Sequence, residues 1–135
     1  MTATVAQVMT GIKDRLATIS GLRVTDTIPD VVNPPIAMPA LVQVTYHNAQ
    51  QQGSVEHTLV VSVVVGRAAE RSAQASLYGF LSSSGATSVR TAIEGDRTLG
   101  GVAQTTIVRS GSDIRSVTVG DSNFLVVDFD VLVYA

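Results

Sequence analysis

The run TLVVSVVV at residues 58–65, closed by Gly66, constrains the fold more than any other stretch of the chain. Eight residues are too few for a buried helix, and Val and Thr lose rotamer freedom in one, so the run reads as a strand covered on both faces. Such a strand needs neighbours. Residues 40–46 (ALVQVTY) alternate, with Val42, Val44 and Tyr46 on one side and Gln43 and Thr45 on the other. Together they predict a hairpin whose turn, residues 47–54 (HNAQQQGS), is polar, long and uncharged. Facing Val42, Val44 and Tyr46 with Leu59, Val61 and Val63 puts His57 on the apolar face and His47 on the polar one.

The remaining segments supply cover and further strands. In residues 2–19, Val5, Val8, Met9, Ile12, Leu16 and Ile19 recur at helical spacing, with Thr2 or Thr4 as the cap and Gly21 as the stop. Gly11 weakens this helix by about 1 kcal/mol relative to alanine, so packing must hold it. Residues 22–27 (LRVTDT) read as a short strand ended by Pro29. Residues 28–39 (IPDVVNPPIAMP) hold four prolines, which predict a stiff connector without regular pairing. Residues 69–82 fit a second helix that buries Ala73, Leu77, Phe80 and Leu81. Residues 88–94 fit a third, capped by Thr87 or Ser88, stopped at Gly95 and burying Val89, Ala92 and Ile93.

The last third returns to β structure. Residues 102–109 and 114–119 are expected to flank a turn, SGSD, before a long strand over residues 123–134. In that strand Val127, Phe129, Val131 and Val133 share one face, while Asp128 and Asp130 share the other with Leu132 and Tyr134. This implies a sheet covered on one side. The order α-β-β-β-α-α-β-β-β predicts an α+β fold, a mainly antiparallel sheet covered by the N-terminal helix and one or two further helices. At 135 residues a single domain over residues 1–135 is expected.

Composition narrows function. A net charge of −2 gives no basic footprint for reading nucleic acid, although close passage of DNA needs none. The chain contains no cysteine, which removes disulfides, thiolate nucleophiles and Cys-ligated zinc. No apolar run approaches the roughly 18 residues of a membrane span, and the N-terminus lacks a signal-peptide pattern, so an intracellular protein without membrane contact is expected. Charged residues make up only 15%, which suits a subunit that hides surface against neighbours.

Chemistry-bearing patterns are sparse. Residues 82–84 (SSS) lack the glycine frame of a nucleophile elbow, and the chain has neither GxxxxGK[ST] nor GxGxxG after a strand. His47 and His57, with Glu56 nearby, would form a metal site only in another hairpin register and with a third ligand; solvated or hydrogen-bonded turn histidines are expected instead. Asp128 and Asp130 offer two oxygens on one strand face, read as a solvated or interface acidic face before a divalent-ion site. Neither cofactor nor catalytic residue is predicted.

Three segments, residues 22–42 (LRVTDTIPDVVNPPIAMPALV), 98–108 (TLGGVAQTTIV) and 124–135 (FLVVDFDVLVYA), resemble in order and spacing the tail terminator, or tail-completion, proteins of long-tailed, siphovirus-type phages of actinobacteria. The resemblance implies a structural virion protein and no enzyme. Its members form a ring, expected as a hexamer, on the head-proximal end of the tail tube, end tube growth and join the tail to the head. Implied partners are other copies of itself, the major tail-tube protein and the head-tail connector, with DNA only passing through. Assembly would take place in the host cytoplasm, and the final location would be the virion tail. Subunit or tube contacts are expected in residues 28–39, at Asn33, Pro34, Pro35 and Ile36, and in the turn at residues 48–53, at Gln50, Gln51 and Gln52. Alternatives are a head-tail connector component, a tail-tube subunit, or a small cytoplasmic ligand-binding module or enzyme using His47 or His57.

Overall fold

The computed structural model describes residues 4–19, 21–25, 35–46, 55–67, 71–119 and 121–135. Helix α1 (Val5–Leu16) begins at a capping box: Gln7 N donates to Thr4 Oγ1 at 3.2 Å and Thr4 N to Gln7 Oε1 at 2.9 Å. It stops three residues before the expected end. Thr18 Oγ1 and Thr18 N both donate to Arg15 O, and Ile19 N donates to Leu16 O, tightening the last turn while Ile19 stays buried. Val8, Ile12 and Leu16 form its buried stripe.

The strands are β1 (Arg23–Val24), β2 (Ile36–Thr45), β3 (Glu56–Arg67), β4 (Thr105–Val119) and β5 (Ser122–Tyr134). Helices α2 (Arg71–Leu81) and α3 (Val89–Glu94), then a 3₁₀ turn at Leu99–Gly101, lie between β3 and β4. The spatial order is β1-β2-β3-β5-β4, with β1 parallel to β2 and every other pair antiparallel. The protein is therefore α+β with a mostly antiparallel mixed sheet. Leu59, Val61 and Val63 of β3 and Val127, Phe129, Val131 and Val133 of β5 face the three helices as one core. Each such buried side chain contributes about 1.5–3 kcal/mol.

β3 is central, paired with β2 on one side and β5 on the other, but it is not apolar on both faces. Thr58, Val60 and Ser62 remain half-buried on the helix-free face. At one end of that face Ile36, Val64, Phe124 and Val126 make a second small cluster, with Met38 and Val117 against it.

The α3 region is docked by two polar contacts. Arg15 Nε donates to Ala92 O at 2.8 Å, tying α1 to α3. Val108 N of β4 donates to Glu94 Oε2 at 3.0 Å, beside a bulge in β4 that leaves Arg109 without a register partner. Ser88 caps α3, as expected, accepting from Thr91 N at 3.2 Å. Gly11 has a packing reason: a Cβ there would lie 2.8 Å from Leu99 Cβ, so the glycine lets α1 settle onto the 3₁₀ turn.

Three further expectations are corrected. Residues 36–39 do not belong to an unpaired connector; Ile36, Ala37, Met38 and Pro39 pair with Val64, Val63, Ser62 and Val61. Pro35 O and Ala37 O accept from Arg23 N and Thr25 N, so alternate residues direct their polar groups towards β1. Pro39, two further on and past the last β1 pair, turns its donorless nitrogen to the outer edge and costs no ladder bond.

The SGSD segment is not a turn. Residues 105–119 run as one strand with bulges between Val108 and Ser110 and between Ser112 and Arg115, giving five strands among the described residues where six were expected. Gly111 stands opposite Phe129, and a Cβ on it would lie 3.1 Å from the Phe129 ring and collide with Leu81. The glycine is a seat for those side chains, and Asp113, at φ 57, absorbs the second bulge.

The predicted hairpin register also fails. Leu41 pairs with Leu59 and Val44 with His57, with a bulge at Val42 between them. Val42 and Tyr46, expected in the core, are 60% and 71% exposed.

Candidate interaction surface

Asn33, Pro34, Gln50, Gln51 and Gln52 lie outside the described residues, as do His47 and the whole turn at residues 48–53. Of the expected contact residues, Pro35 is half-buried and its carbonyl accepts from Arg23 N at 3.2 Å. Ile36 is buried against Val64, Phe124 and Val126.

The helix-free face carries Asp128 and Asp130 together, as their spacing required. Sequence reasoning missed their partners. Asp128 accepts from Ser62 Oγ at 2.8 Å and pairs with Arg115 at 3.1 Å; Arg115 also reaches Asp113 at 3.3 Å, and Arg109 lies 3.8 Å from Asp130. An arginine thus stands beside each carboxylate, and the face is an ion-pair ladder in place of an acidic one. These half-exposed pairs are worth up to about 1 kcal/mol each, so they set charge pattern more than stability. The signal was present: Arg109 and Arg115 flank the Ser110–Ser112 stretch of β4 that pairs with Asp130 and Asp128, and the expected SGSD turn hid it.

His57 is on the apolar face, as read, but it is no turn histidine. It is 1% exposed within β3, between Val44 and Val133, and its Nδ1 has no hydrogen-bond partner. One strand beyond Val133 in the same row sits Thr106, fully buried, whose Oγ1 is likewise unpartnered. Glu56 precedes His57 in β3 and so points to the other face. Among the described residues no three His, Cys, Asp or Glu side chains gather closely enough to hold a metal ion.

A shallow groove of about 290 Å³ runs between α1 and the 3₁₀ turn, lined by Ala6, Gln7, Thr10, Gly11, Leu99 and neighbours. It holds no paired nucleophile and base. Beside it, Asp96 accepts from Thr98 Oγ1 at 2.7 Å, Gly100 N at 3.0 Å and Thr98 N at 3.2 Å. The Thr98 hydroxyl and the Gly100 amide hold its carboxyl below the usual value of 3.8, with desolvation opposing and Arg15 adding a little. This carboxylate steadies a turn in which Leu99, Gly100 and Gly101 all have positive φ.

Of the exposed large apolar side chains, Val5 and Tyr78 lie on α1 and α2 and the others sit on or next to the two outer strands. Leu41, Val42 and Tyr46 project from the end of β2, and Ile107 and Ile114 from β4. β1 covers only Ile36 and Ala37 of β2, so beyond that point β2 is an outer edge among the described residues, as β4 is on the other side. No helix among the described residues is long and apolar enough to cross a membrane. In comparison with known proteins, the chain matches no family model and no curated protein sequence.

Proposed function

We propose that this chain is a structural subunit of a phage tail: a tail terminator that assembles as a ring, with hexamer the expected number, on the head-proximal end of the tail tube. It ends tube growth and then meets the head-tail connector, and it performs no reaction. Its partners are other copies of itself, the major tail-tube protein and the connector, with DNA passing through the ring in the assembled virion.

The observation that carries this reading is the charge-free apolar end of β2. From residue 31 to residue 55 the sequence has no charged side chain, and Leu41, Val42 and Tyr46 of that stretch are exposed. Apolar surface on an uncharged outer strand suits burial by a neighbouring subunit. A closed ring needs a head-to-tail contact between two different patches, and a sheet with one outer strand at each end offers two. The resemblance to tail terminators over residues 22–42, 98–108 and 124–135 supports reading the ring as a terminator. Contacts through residues 28–39 and 48–53 belong to the same proposal.

Electron microscopy of the purified chain, alone and mixed with tail tubes, tests it. Single rings, or tubes capped at one end, are expected. Open tubes grown from the chain alone would instead make it a tube subunit, and a chain that stays single beside tubes would remove the terminator reading.

A further inference from the structure

We infer that Tyr46 of one copy seats in the groove between α1 and the 3₁₀ turn of the next copy, and that this is the head-to-tail contact of the ring. The inference rests on the ring proposal and names the two patches that meet. They match in chemistry. Tyr46 is 71% exposed and follows directly on β2, with Val42 at 60% four residues earlier, in a stretch without charge from residue 31 to residue 55. The groove, about 290 Å³, has Gly11, Leu99 and Val102 as apolar walls, and Asp14 is the only charged residue lining it. That volume is near the lower bound of ligand pockets and suits a single aromatic side chain. A tyrosine brings a large apolar ring at low entropic cost and a hydroxyl that needs a partner once buried, which Gln7 or Thr10 on the groove wall can supply.

Placement makes the pair a ring contact. The row Thr45–Glu56–Tyr134–Thr105 runs straight across the sheet from β2 to β4. Tyr46 continues the β2 end of that row. At the β4 end, Gln104 N donates to Tyr134 O at 2.7 Å, and only residues 102–104 separate the 3₁₀ turn from β4. The patches therefore lie at the same end of the sheet and on opposite sides of it, separated by three strand spacings, about 14 Å. Copies repeated side by side bring Tyr46 of one to the groove of the next, whereas a two-fold pair would set like patches together. Ile107 and Ile114 are exposed too, but they belong to β4 on the groove's own side and do not supply the opposite patch. The contact is made by exposed side chains and needs no free strand edge.

Because the chain has no cysteine, introduced thiols are the only ones present. Thr10→Cys and Tyr46→Cys chains are prepared separately and gently oxidised beside tail tubes, each alone and as an equal mixture, and linked products are read on non-reducing gels. A linked pair is expected in the mixture and almost none in either variant alone. Tyr46→Ala, without oxidation, is expected to keep the melting transition of the unmodified chain and to weaken assembly by about tenfold or more in light scattering, the loss of a central aromatic anchor. A mixture linked no better than the separate variants would overturn the inference. Preferential linking of Tyr46→Cys to itself would overturn it too, since like patches would then be meeting, and so would Tyr46→Ala assembling as the unmodified chain does. Rings that form on tubes without the link between positions 10 and 46 would remove this contact and leave the terminator reading standing. Linked copies stacked into open tubes would support the contact and remove the terminator reading.

Discussion

Two residues separate structural roles from chemical ones. His57 is enclosed with an unpartnered Nδ1, and leaving a buried polar atom unsatisfied costs about 1–3 kcal/mol. His57→Leu, close in volume and without that atom, is therefore expected to hold or raise the melting temperature, as read by calorimetry, and to leave assembly unchanged. A ligand-binding or catalytic histidine would show the opposite, loss of function without gain in stability. Asp96 has a folded pKa depressed below its ordinary 3.8, so its contribution is fully present above that value and is lost as pH falls through the lower folded value. Asp96→Ala should melt below the unmodified chain at neutral pH, with the gap closing as pH drops under 3.8; a gap independent of pH would mean the carboxylate is not what steadies the turn.

Whole elements depend on single glycines and prolines, and this is where reading the sequence succeeded or failed. The helices were legible because their starts are local chemistry, Thr4 with Gln7 and Ser88 with Thr91, and because apolar spacing landed Val8, Ile12, Leu16, Leu77, Phe80 and Ile93 in the core. The strand faces of β5 were legible for the same reason, through simple alternation. What was hidden depended on residues far away in the chain. Gly111 looked like a turn because nothing nearby says that Phe129 and Leu81 occupy its missing side chain. Pro39 looked like a break because its tolerance depends on where β1 ends. The bulge at Val42 changed which side of β2 meets the core, and with it the surface on which the proposal rests. Filling the Gly111 seat tests this account of β4. Gly111→Val should displace Phe129 or Leu81 and cost about 1–3 kcal/mol in chemical unfolding; an unchanged midpoint would mean the glycine is only a leftover turn residue.

At the scale of the molecule, the sheet has helices on one face, an arginine–aspartate ladder on the other, and outer strands that carry exposed apolar groups without stabilising the subunit. Side chains that exposed contribute little to the fold of a single chain. Val42→Lys combined with Tyr46→Ser should therefore shift stability by no more than about 0.5 kcal/mol, the usual range for surface changes. On the proposed function it should nevertheless abolish ring formation, seen as a shift from ring to single-chain mass in light scattering. A variant that still forms rings would place the contact elsewhere on the subunit. The most direct test of the central claim is cryo-electron microscopy of tail tubes incubated with the purified chain. The account predicts a closed ring of density on one end of each tube and no growth beyond it; bare tubes at both ends, with the chain left single in solution, would contradict it.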